Sequence, residues 1–503
     1  MKAKALQICG TGSGVGKSVL VSALCRIFLQ DGYSVCPFKA QNMALNSFVT
    51  KGQGEIGRAQ ATQAQACRIE PSVDMNPVLL KPVSDIGAQV IVRGKPLGNM
   101  NVFNYTRYKT KLLPVVRKSF DSLSKIYEVI VMEGAGSPAE INLKSHDIVN
   151  MKMARYAKAP VILVGDIDKG GVFASLVGTL ELLNKSERLM IKGFIINKFR
   201  GDKALLDPGL KWLEKRTGIK VVGVIPYFRN ILIPEEDAVP LDSFKDKIGQ
   251  KQRRLNIDVI YLPHISNFTD FDGLESEPDV RLRYVKRPEE LNDPDIIIIP
   301  GTKNTISDLK YLMSSGFAKR ILSVINSNRI TQVVGICGGY QMLGSRICDK
   351  NGLESKCRRI RGLNLLPVET SLKANKILAQ VKARNLFSGL ELSGYEIHHG
   401  QSKIKGNCNP VFKITERNGR KLNRAEGAIS SDSRILGTYI HGIFETEAFR
   451  RDFLNRLRRK KGWPLLQPKE KFSLDNEFDK LAKLVRESID TDLLYKILKG
   501  KIV

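Results

Sequence analysis

The sequence Gly10-Thr11-Gly12-Ser13-Gly14-Val15-Gly16-Lys17-Ser18 separates a short apolar run, Ala5 to Cys9, from the helix-like segment Val19 to Leu29. A strand, a glycine-rich turn and a helix in this order form a phosphate-binding loop, because glycines let backbone N–H groups approach an anion. In such loops the lysine contacts the outer phosphates and the next hydroxyl binds magnesium. The stretch therefore predicts that the chain begins with an α/β nucleotide-binding domain that uses Lys17 and Ser18.

Later apolar segments in the first half of the chain also end in polar residues. Ordinary loop polarity would explain any one of them. Four that follow a phosphate loop predict instead an open parallel sheet with its site at the carboxyl edge. The four are Val35 to Phe38 before Lys39, Glu128 to Met132 before Glu133, Pro160 to Val164 before Asp166, and Ile191 to Ile196 before Asn197.

A second stretch, Val333-Val334-Gly335-Ile336-Cys337-Gly338-Gly339-Tyr340-Gln341, places one cysteine at the end of an apolar strand. A cysteine taken alone is usually a small buried hydrophobic residue. Here the flanking glycines predict a sharp turn that exposes the sulphur as a nucleophile. His441 also follows an apolar strand directly, so it is the expected base.

This cysteine and histidine pattern resembles the class I glutamine amidotransferases, in which the cysteine attacks the side-chain amide of glutamine and releases ammonia. The resemblance implies that Cys337 and His441 are catalytic and that Gly301 and Gly338 supply the oxyanion donors. Most of these enzymes have a carboxylate two residues after the histidine, where this chain has Ile443. The nearest acid is Glu445, so the site is predicted to be either slow or differently oriented.

The first loop resembles the G-T-x-x-x-V-G-K-[ST] loop of dethiobiotin synthetase and its relatives. That resemblance implies ATP as the nucleotide and Mg²⁺ as the metal. Glu133 matches the metal-binding glutamate of that enzyme, and Glu55 is a weaker metal candidate beside Ser18. The implied ATP-binding residues are Thr11, Gly12, Gly14, Gly16, Lys17, Ser18, Lys39 and Asn197.

Six further blocks resemble the adenosylcobyric acid synthase family in order along the chain. That family implies ATP- and glutamine-dependent amidation of the b, d, e and g carboxylates of adenosylcobyrinic acid a,c-diamide, through an acyl phosphate and without a tightly bound cofactor. A related alternative is cobyrinic acid a,c-diamide synthase, which amidates other carboxylates. The blocks are P-F-K-A-Q-N-M-A-L-N-S, E-I-G-R-A-Q-A, E-G-A-G-S-P-A-E-I-N-L, D-I-D-K-G-G-V-F-A-S, P-G-T-K-N-T and G-Y-E-I-H-H-G.

The expected organisation is two α/β domains and a tail, since 503 residues can bury two cores. The synthetase domain, a dethiobiotin-synthetase-like parallel sheet, is placed at 1–232, and a polar linker at 233–254. The class I amidotransferase domain is placed at 255–450 and a helical tail at 451–503, packed on the second domain.

The net charge of +29, from 80 Lys and Arg against 51 Asp and Glu, is the best support for a rival hypothesis, a DNA-associated ATPase. The charges are dispersed, however, and Gly12 replaces the signature lysine of the partitioning ATPases. Such a protein would also have no use for Cys337 with His441. The expected partners are therefore a corrinoid, ATP and glutamine, with no nucleic acid and no membrane, and the oligomeric state is left open.

The cysteines and histidines give little support to a zinc site. Eight cysteines form no C-x-x-C pair, which favours a reducing cytoplasmic location. His398 and His399 are adjacent in a strand and would point to opposite faces, so substrate contact or structural polarity is favoured over metal binding.

Overall fold

The computed structural model describes residues 3–84, 87–228, 230–231, 233–234, 254–468 and 473–502. The chain divides into two compact units. The first consists of Met1–Ala44, Gly54–Asp237 and Ser473–Val503, and the second of Leu45–Gln53 and Ala238–Phe472. The linker predicted at 233–254 lies, apart from residues 233, 234 and 254, outside the described residues.

The elements up to residue 226 alternate between strands and helices. The strands are β1 Lys4–Gly10, β2 Val35–Phe38, β3 Gln41–Met43, β4 Ser47–Val49, β5 Glu55–Gly57, β6 Val78–Ser84, β7 Gly87–Val92, β8 Lys95–Asn101, β9 Val129–Glu133, β10 Val161–Asp166, β11 Ile191–Phe199 and β12 Val221–Pro226. The helices are α1 Lys17–Gln30, α2 Arg58–Ala66, α3 Val102–Ser124, α4 Ile141–Lys144, α5 Met151–Ala157, α6 Val172–Leu182, α7 Lys185–Arg188 and α8 Asp207–Thr217, with a 3₁₀ turn at Lys203–Leu205.

The first unit is built on a parallel six-stranded sheet in the order β12-β11-β10-β1-β9-β2. The strands predicted from the apolar runs are all present, and β1 runs through the loop into α1 as expected. Their side chains are almost continuously buried, which is the pattern of a parallel sheet covered on both faces. A smaller sheet, β3-β6-β7-β8, lies in the same unit. The parallel register brings the ends of β1, β2, β9, β10 and β11 to one edge, where the predicted phosphate site belongs.

The elements from residue 255 onward are as follows. The strands are β13 Leu255–Ile260, β14 Val280–Val285, β15 Ile296–Ile299, β16 Gln332–Ile336, β17 Arg346–Cys348, β18 Arg359–Arg361, β19 Val368–Asn385, β20 Glu391–Ile404, β21 Cys408–Asn409, β22 Phe412–Arg417, β23 Arg420–Glu426, β24 Ala428–Ser430, β25 Ile435–Thr438 and β26 Ile440–His441. The helices are α9 Asp272–Glu275, α10 Thr305–Ser314, α11 Phe317–Ser327, α12 Gly338–Leu343, α13 Glu447–Lys460, α14 Leu474–Ser488 and α15 Thr491–Leu498, with 3₁₀ turns at Phe268–Phe271, Pro288–Glu290 and Ile443–Glu445.

The second unit has a seven-stranded sheet in the order β14-β13-β15-β16-β25-β24-β21. The first five of these strands are parallel, and β16 lies directly beside β25. After β25 the chain leaves this sheet, and β26 pairs antiparallel with β20 of a second sheet. The strand before Cys337 and the strand before His441 are therefore neighbours, which brings both residues to the same sheet edge.

The C-terminal tail corrects one prediction, since only part of it packs on the second domain. α13 contributes Phe449 and Phe453 to the core of the second unit, as expected. α14 and α15 belong to the first unit, where Phe478 and Leu481 join the core around α1. The apolar face of α14 packs along α1, and the nearly inaccessible Arg26 in α1 pairs with the α14 carboxylates Asp475 and Asp479. Within the described residues, no helix is long and apolar enough to cross a membrane.

Candidate active sites

Cys337 occupies the turn between β16 and α12 and has a backbone φ of 51° and ψ of −105°. A positive φ is rare for a residue other than glycine, and such strain is concentrated at functional sites. The turn is possible because Gly339 approaches the backbone of β15 so closely that a Cβ would collide with the carbonyl oxygen of Ile299. Cys337 is only 7% exposed and is buried, so the prediction that the turn exposes its sulphur is wrong, although the sharp turn itself is present.

His441 is positioned by the two neighbouring strands. The N–H of Cys337 donates to the carbonyl of Thr438 at 2.8 Å, which fixes the end of β25 beside this cysteine. The turn after Thr438 then carries the chain to β26, where His441 is fully buried. Its ring stacks on Tyr395 at a centroid distance of 5.1 Å and an interplanar angle of 15°. Full burial and this stacking restrict the orientation of the ring.

Asp270 occupies the place of the orienting acid that the sequence analysis did not find. Its Oδ2 lies 2.7 Å from His441 Nδ1, and its Oδ1 accepts a hydrogen bond of 2.9 Å from the N–H of Gly442. Both side chains of the pair are almost inaccessible. The sequence analysis left open a slow site or a differently oriented one, and the contact with Asp270 favours the second. The sequence offered one hint of this contact, since Asp270 lies between two aromatic residues, Phe268 and Phe271. Both aromatic side chains are buried in the structure.

The electrostatics of His441 follow from this pair. Burial alone would lower the pKa of the imidazole, but the Asp270 carboxylate and, after it, the Cys337 sulphur outweigh burial and raise that pKa to about 10. Nε2 makes no hydrogen bond of ordinary length with any described acceptor. At neutral pH the folded protein therefore holds an imidazolium beside the nucleophile, with Nδ1–H donating to Asp270.

Glu426 fixes the turn between the two strands from below. One carboxylate oxygen accepts from Thr438 Oγ1 at 2.7 Å and the other from the N–H of Tyr439 at 2.7 Å. Burial raises the pKa of Glu426 to about 8, despite these hydrogen bonds. The short segment between the cysteine strand and His441 is therefore held by three hydrogen bonds, those of Cys337, Thr438 and Tyr439.

Both glycines predicted as oxyanion donors border the nucleophile. A Cβ on Gly301 would lie 3.0 Å from His441 Cε1 and 3.8 Å from Cys337 Cβ. A Cβ on Gly338 would lie 2.6 Å from Thr302 Cγ2, in the loop that follows Gly301. A side chain at Gly301 would therefore crowd His441, and a side chain at Gly338 would collide with Thr302.

The adjacent histidines of the G-Y-E-I-H-H-G block have different surroundings. His398 is buried, donates from Nδ1 to the carbonyl of Gly400 at 2.7 Å, and stacks on Tyr439 at 3.8 Å between centroids. His399 contacts the carbonyl of Lys373 at 2.9 Å instead. Among the described residues, no group of three or more His, Cys, Asp or Glu side chains is arranged to hold a metal. These contacts favour a structural role for the two histidines.

In the phosphate loop of the first unit, the side chain of Lys17 folds back onto the backbone of the loop. Gly16 caps α1 with a φ of 94°, a left-handed conformation that suits glycine. Lys17 Nζ donates to the carbonyls of Gly12 at 2.7 Å and Gly136 at 3.1 Å. Gly136 lies in the loop after β9, so the lysine joins the two loops that the sequence assigned to one sheet edge. The N–H of Thr11 bonds the carbonyl of Val164 and completes the same edge.

Glu133 is the centre of the predicted metal site and is almost inaccessible. Its Oε1 accepts from Ser18 Oγ at 2.8 Å and from Lys39 Nζ at 2.8 Å, and its Oε2 accepts from Gln63 Nε2 at 2.6 Å. The structure brings together Ser18, Lys39 and Glu133, which the sequence analysis had assigned to one site. The sequence analysis did not predict Gln63, which the sequence marks only by its position shortly after the E-I-G-R-A-Q-A block. Two hard oxygen donors 2.8 Å apart fit the ligand preference of Mg²⁺.

The remaining predicted site residues lie as follows. Asn197 Nδ2 donates to the carbonyl of Val15 at 2.9 Å, so this side chain holds the phosphate loop. Neighbouring Lys198 donates to the carbonyl of Gly14 at 2.6 Å. Glu55 is fully buried and pairs with Lys81 at 2.8 Å. The geometry therefore gives Glu133 the stronger claim as a metal ligand.

Comparison with known proteins identifies both domains. Residues 6–241 match the family described as the CobQ/CobB/MinD/ParA nucleotide binding domain. Residues 256–449 match the CobB/CobQ-like glutamine amidotransferase domain. The two matches confirm the predicted fold class, a nucleotide-binding α/β domain followed by an amidotransferase domain.

Curated relatives match along the whole chain. The chain is 50% identical to the cobyric acid synthase of Dehalococcoides mccartyi strain CBDB1, covering 99% of this chain and 100% of that protein. It is 50% identical to the cobyric acid synthase of Clostridium botulinum strain Loch Maree, covering 99% of both chains, and 48% identical to that of Syntrophobacter fumaroxidans, again covering 99% of both. Likeness at this level across both units, each with its own assembled site, shows that the chain belongs to the cobyric acid synthase family.

Proposed function

We propose that the chain catalyses the ATP- and glutamine-dependent amidation of the b, d, e and g carboxylates of adenosylcobyrinic acid a,c-diamide. The observation that carries this proposal is the presence of a phosphate loop with Glu133 and a Cys337–His441–Asp270 site in one chain of this family. A site that transfers phosphoryl groups and a site that releases ammonia together make an amide from a carboxylate.

The first unit activates the carboxylate. A carboxylate resists nucleophiles, so an oxygen of the substrate attacks the γ-phosphorus of ATP, ADP leaves, and an acyl phosphate forms. Lys17 and Lys39 stabilise the charge that develops on the phosphoryl oxygens. Ser18 and Glu133 would hold Mg²⁺, which neutralises charge on the β- and γ-phosphates when bound. Nucleotide binding must exchange the carbonyl contacts of Lys17 for phosphate contacts.

The second unit supplies the nitrogen. The sulphur of Cys337 attacks the side-chain amide carbon of glutamine, and the N–H groups of Gly301 and Gly338 stabilise the oxyanion. The His441 imidazolium gives its Nε2 proton to the departing nitrogen, and ammonia leaves. His441, now neutral, accepts a proton from the water that hydrolyses the thioester, which releases glutamate and restores the thiolate and imidazolium. Ammonia then attacks the acyl phosphate and inorganic phosphate leaves.

The test is mass spectrometry of the products formed from adenosylcobyrinic acid a,c-diamide with ATP, Mg²⁺ and glutamine. We expect a ladder of partially amidated intermediates that ends at the hexa-amide, because one phosphate loop activates one carboxylate at a time. Cobyrinic acid without the a and c amides should be a poor substrate. Amidation of the a and c positions alone would overturn the proposal in favour of the diamide synthase reaction.

A further inference from the structure

The turn from β8 into α3 presents apolar side chains to solvent. We refer to residues 95–111 as the β8–α3 corner. Phe103 is 82% exposed, Val102 58% and Leu97 47%, and they lie within seven positions of each other. Single exposed apolar residues are ordinary, but a cluster of this kind in a folded chain marks an interaction site.

The rest of α3 is well anchored, so the exposure is confined to the corner. Leu112, Val116 and Phe120 are buried in the core that covers one face of the central sheet. The first three turns of the helix carry Phe103, Arg107 and Lys111 at spacings of four residues, which places them along one side. Arg107 and Lys111 are both exposed. The corner therefore combines a planar aromatic ring with a row of cations.

The charge around the corner is strongly one-sided. Between residues 75 and 120 the sequence has eight Lys and Arg and a single acid, Asp85. In the part of the chain that the structure describes, no carboxylate forms an ion pair with Lys95, Arg107 or Lys111, although nearby Arg93 pairs with Asp74 at 3.0 Å. An apolar surface rimmed by uncompensated cations complements a large apolar molecule that carries several carboxylates.

The corner is joined to the phosphate site of the same unit by a direct contact. Tyr105 Oη donates to Gln41 Oε1 at 2.6 Å. Gln41 begins β3 only two residues after Lys39, whose Nζ lies 2.8 Å from Glu133. The start of α3 is thus tied to the segment that carries the second phosphate lysine, where a substrate carboxylate has to receive its phosphoryl group.

We propose that the β8–α3 corner is the docking surface for the corrinoid substrate, with Phe103 and Val102 against the macrocycle and Lys95, Arg107 and Lys111 facing its carboxylates. This inference rests on the proposed function, since it assigns that substrate a place. The occupant is planar and apolar in its ring and anionic at its edge, and the corner has both properties. Cations placed around the ring would also retain partially amidated intermediates while one carboxylate after another is presented.

The experiment measures corrinoid binding and turnover in two variants of the full chain, Phe103→Ala and the double variant Arg107→Glu with Lys111→Glu. Leu205→Ala, at a residue 85% exposed in the same unit, and Lys215→Glu with Arg216→Glu are the matched controls. We expect Phe103→Ala to raise the KM for the corrinoid about tenfold, because a buried aromatic contact of this size is lost. The charge reversal should raise it further at low salt and remove most of the salt dependence of binding. The KM for ATP should change less than about twofold in both variants.

The outcomes separate the surface from the function. If the wild-type protein neither binds nor amidates the corrinoid, the proposed function fails, and the surface assignment fails with it. If the wild-type protein is active and both variants keep its corrinoid KM and salt dependence, the surface is wrong and the function stands. If the variants change the oligomeric state in size-exclusion chromatography without changing the corrinoid KM, the corner joins two copies of the chain and the proposal is overturned.

Discussion

The two sites of this chain differ in how far they are assembled before a substrate arrives. At Cys337 the reacting groups are held by contacts that the reaction keeps, namely Asp270 on His441 and Thr438 on the cysteine N–H. At the phosphate loop the cations contact groups that the substrates must replace: Lys17 bonds two carbonyls and Lys39 pairs with Glu133. In the proposed reaction, the nitrogen site therefore keeps its side-chain contacts, whereas the activation site must exchange the contacts of Lys17 and Lys39 when its substrates bind.

The largest expected effect is the loss of all glutamine-dependent synthesis in Cys337→Ala. High ammonium at alkaline pH should still support amidation, because the sulphur serves only to release nitrogen and the activation site is untouched. Product formation with each nitrogen source is the measurement. Cys348→Ala, at another free cysteine of the same unit, is the control and should behave like the wild type. A folded Cys337→Ala protein that ammonium fails to rescue would contradict the division of labour between the sites.

Lys17→Ala should produce the complementary pattern. Synthesis should fall by about three orders of magnitude with either nitrogen source, because the charge on the transferred phosphoryl group loses its main protein partner. Cys337 should still react with a glutamine-like alkylating analogue at the wild-type rate, since the nitrogen site needs no nucleotide for its geometry. Lys220→Ala is the control, at a lysine 68% exposed that pairs only with Glu214 among the described carboxylates. Near-normal synthesis from ammonia in Lys17→Ala would remove this lysine from the mechanism.

The same contrast explains which features the sequence could predict. The phosphate loop and the turn at Cys337 are local, because strand, glycines and helix are consecutive, and both were predicted together with the parallel sheet. Asp270 lies 171 residues from His441 and reaches it only through the fold, so no spacing rule identifies it. The docking of α14 on α1 has the same origin, since an amphipathic helix shows that it is buried but not against what.

Asp270→Asn should be the next largest effect and is confined to the nitrogen site. Glutaminase activity should fall by about 10²- to 10⁴-fold, because the amide no longer holds His441 in the correct tautomer or stabilises its charge. Glu445→Gln is the matched comparison and should lose much less, since Asp270 already occupies His441 Nδ1. Steady-state glutamine hydrolysis measures both. An equal collapse in Glu445→Gln would assign the orienting role to that glutamate instead.

The raised pKa of His441 predicts how the glutaminase activity of the nitrogen site depends on pH. The pKa of His441 is raised to about 10 by Asp270 and Cys337 against the effect of burial. This pair contributes stability that is fully present below the unfolded histidine pKa of about 6.5 and is lost as the pH rises toward 10. In Asp270→Asn the pKa should fall, so the alkaline limb of the glutaminase profile should move to lower pH. An alkaline limb that stays in place would show that Asp270 does not control the proton on His441.

The smallest expected effect tests whether the tail supports only the activation site. Asp475 in α14 pairs with Arg68 and with the buried Arg26 of α1, and these arginines, against the opposing effect of burial, lower its pKa to about 2. Asp475→Asn should therefore cost about 1 kcal/mol or less, since the carboxylate is 42% exposed and solvent screens the pair. The ion pairs stabilise the charged carboxylate in the native state, which is why its pKa is lowered. Their contribution to stability is therefore present above about pH 4 and is lost as the pH falls toward 2.

The measurement is thermal unfolding of Asp475→Asn at pH 7 and pH 3, with Asp492→Asn at an exposed position of α15 as the control. At pH 7 we expect a small loss of stability and a slightly higher KM for ATP, because α14 packs along α1 behind the phosphate loop. At pH 3 the difference from the wild type should shrink. Glutamine hydrolysis should not change, since Asp475 lies in the first unit and the nitrogen site in the second. A loss of glutaminase activity equal to the loss of synthesis would mean that the tail also supports the nitrogen site. The two sites would then not differ in which of them depends on the tail.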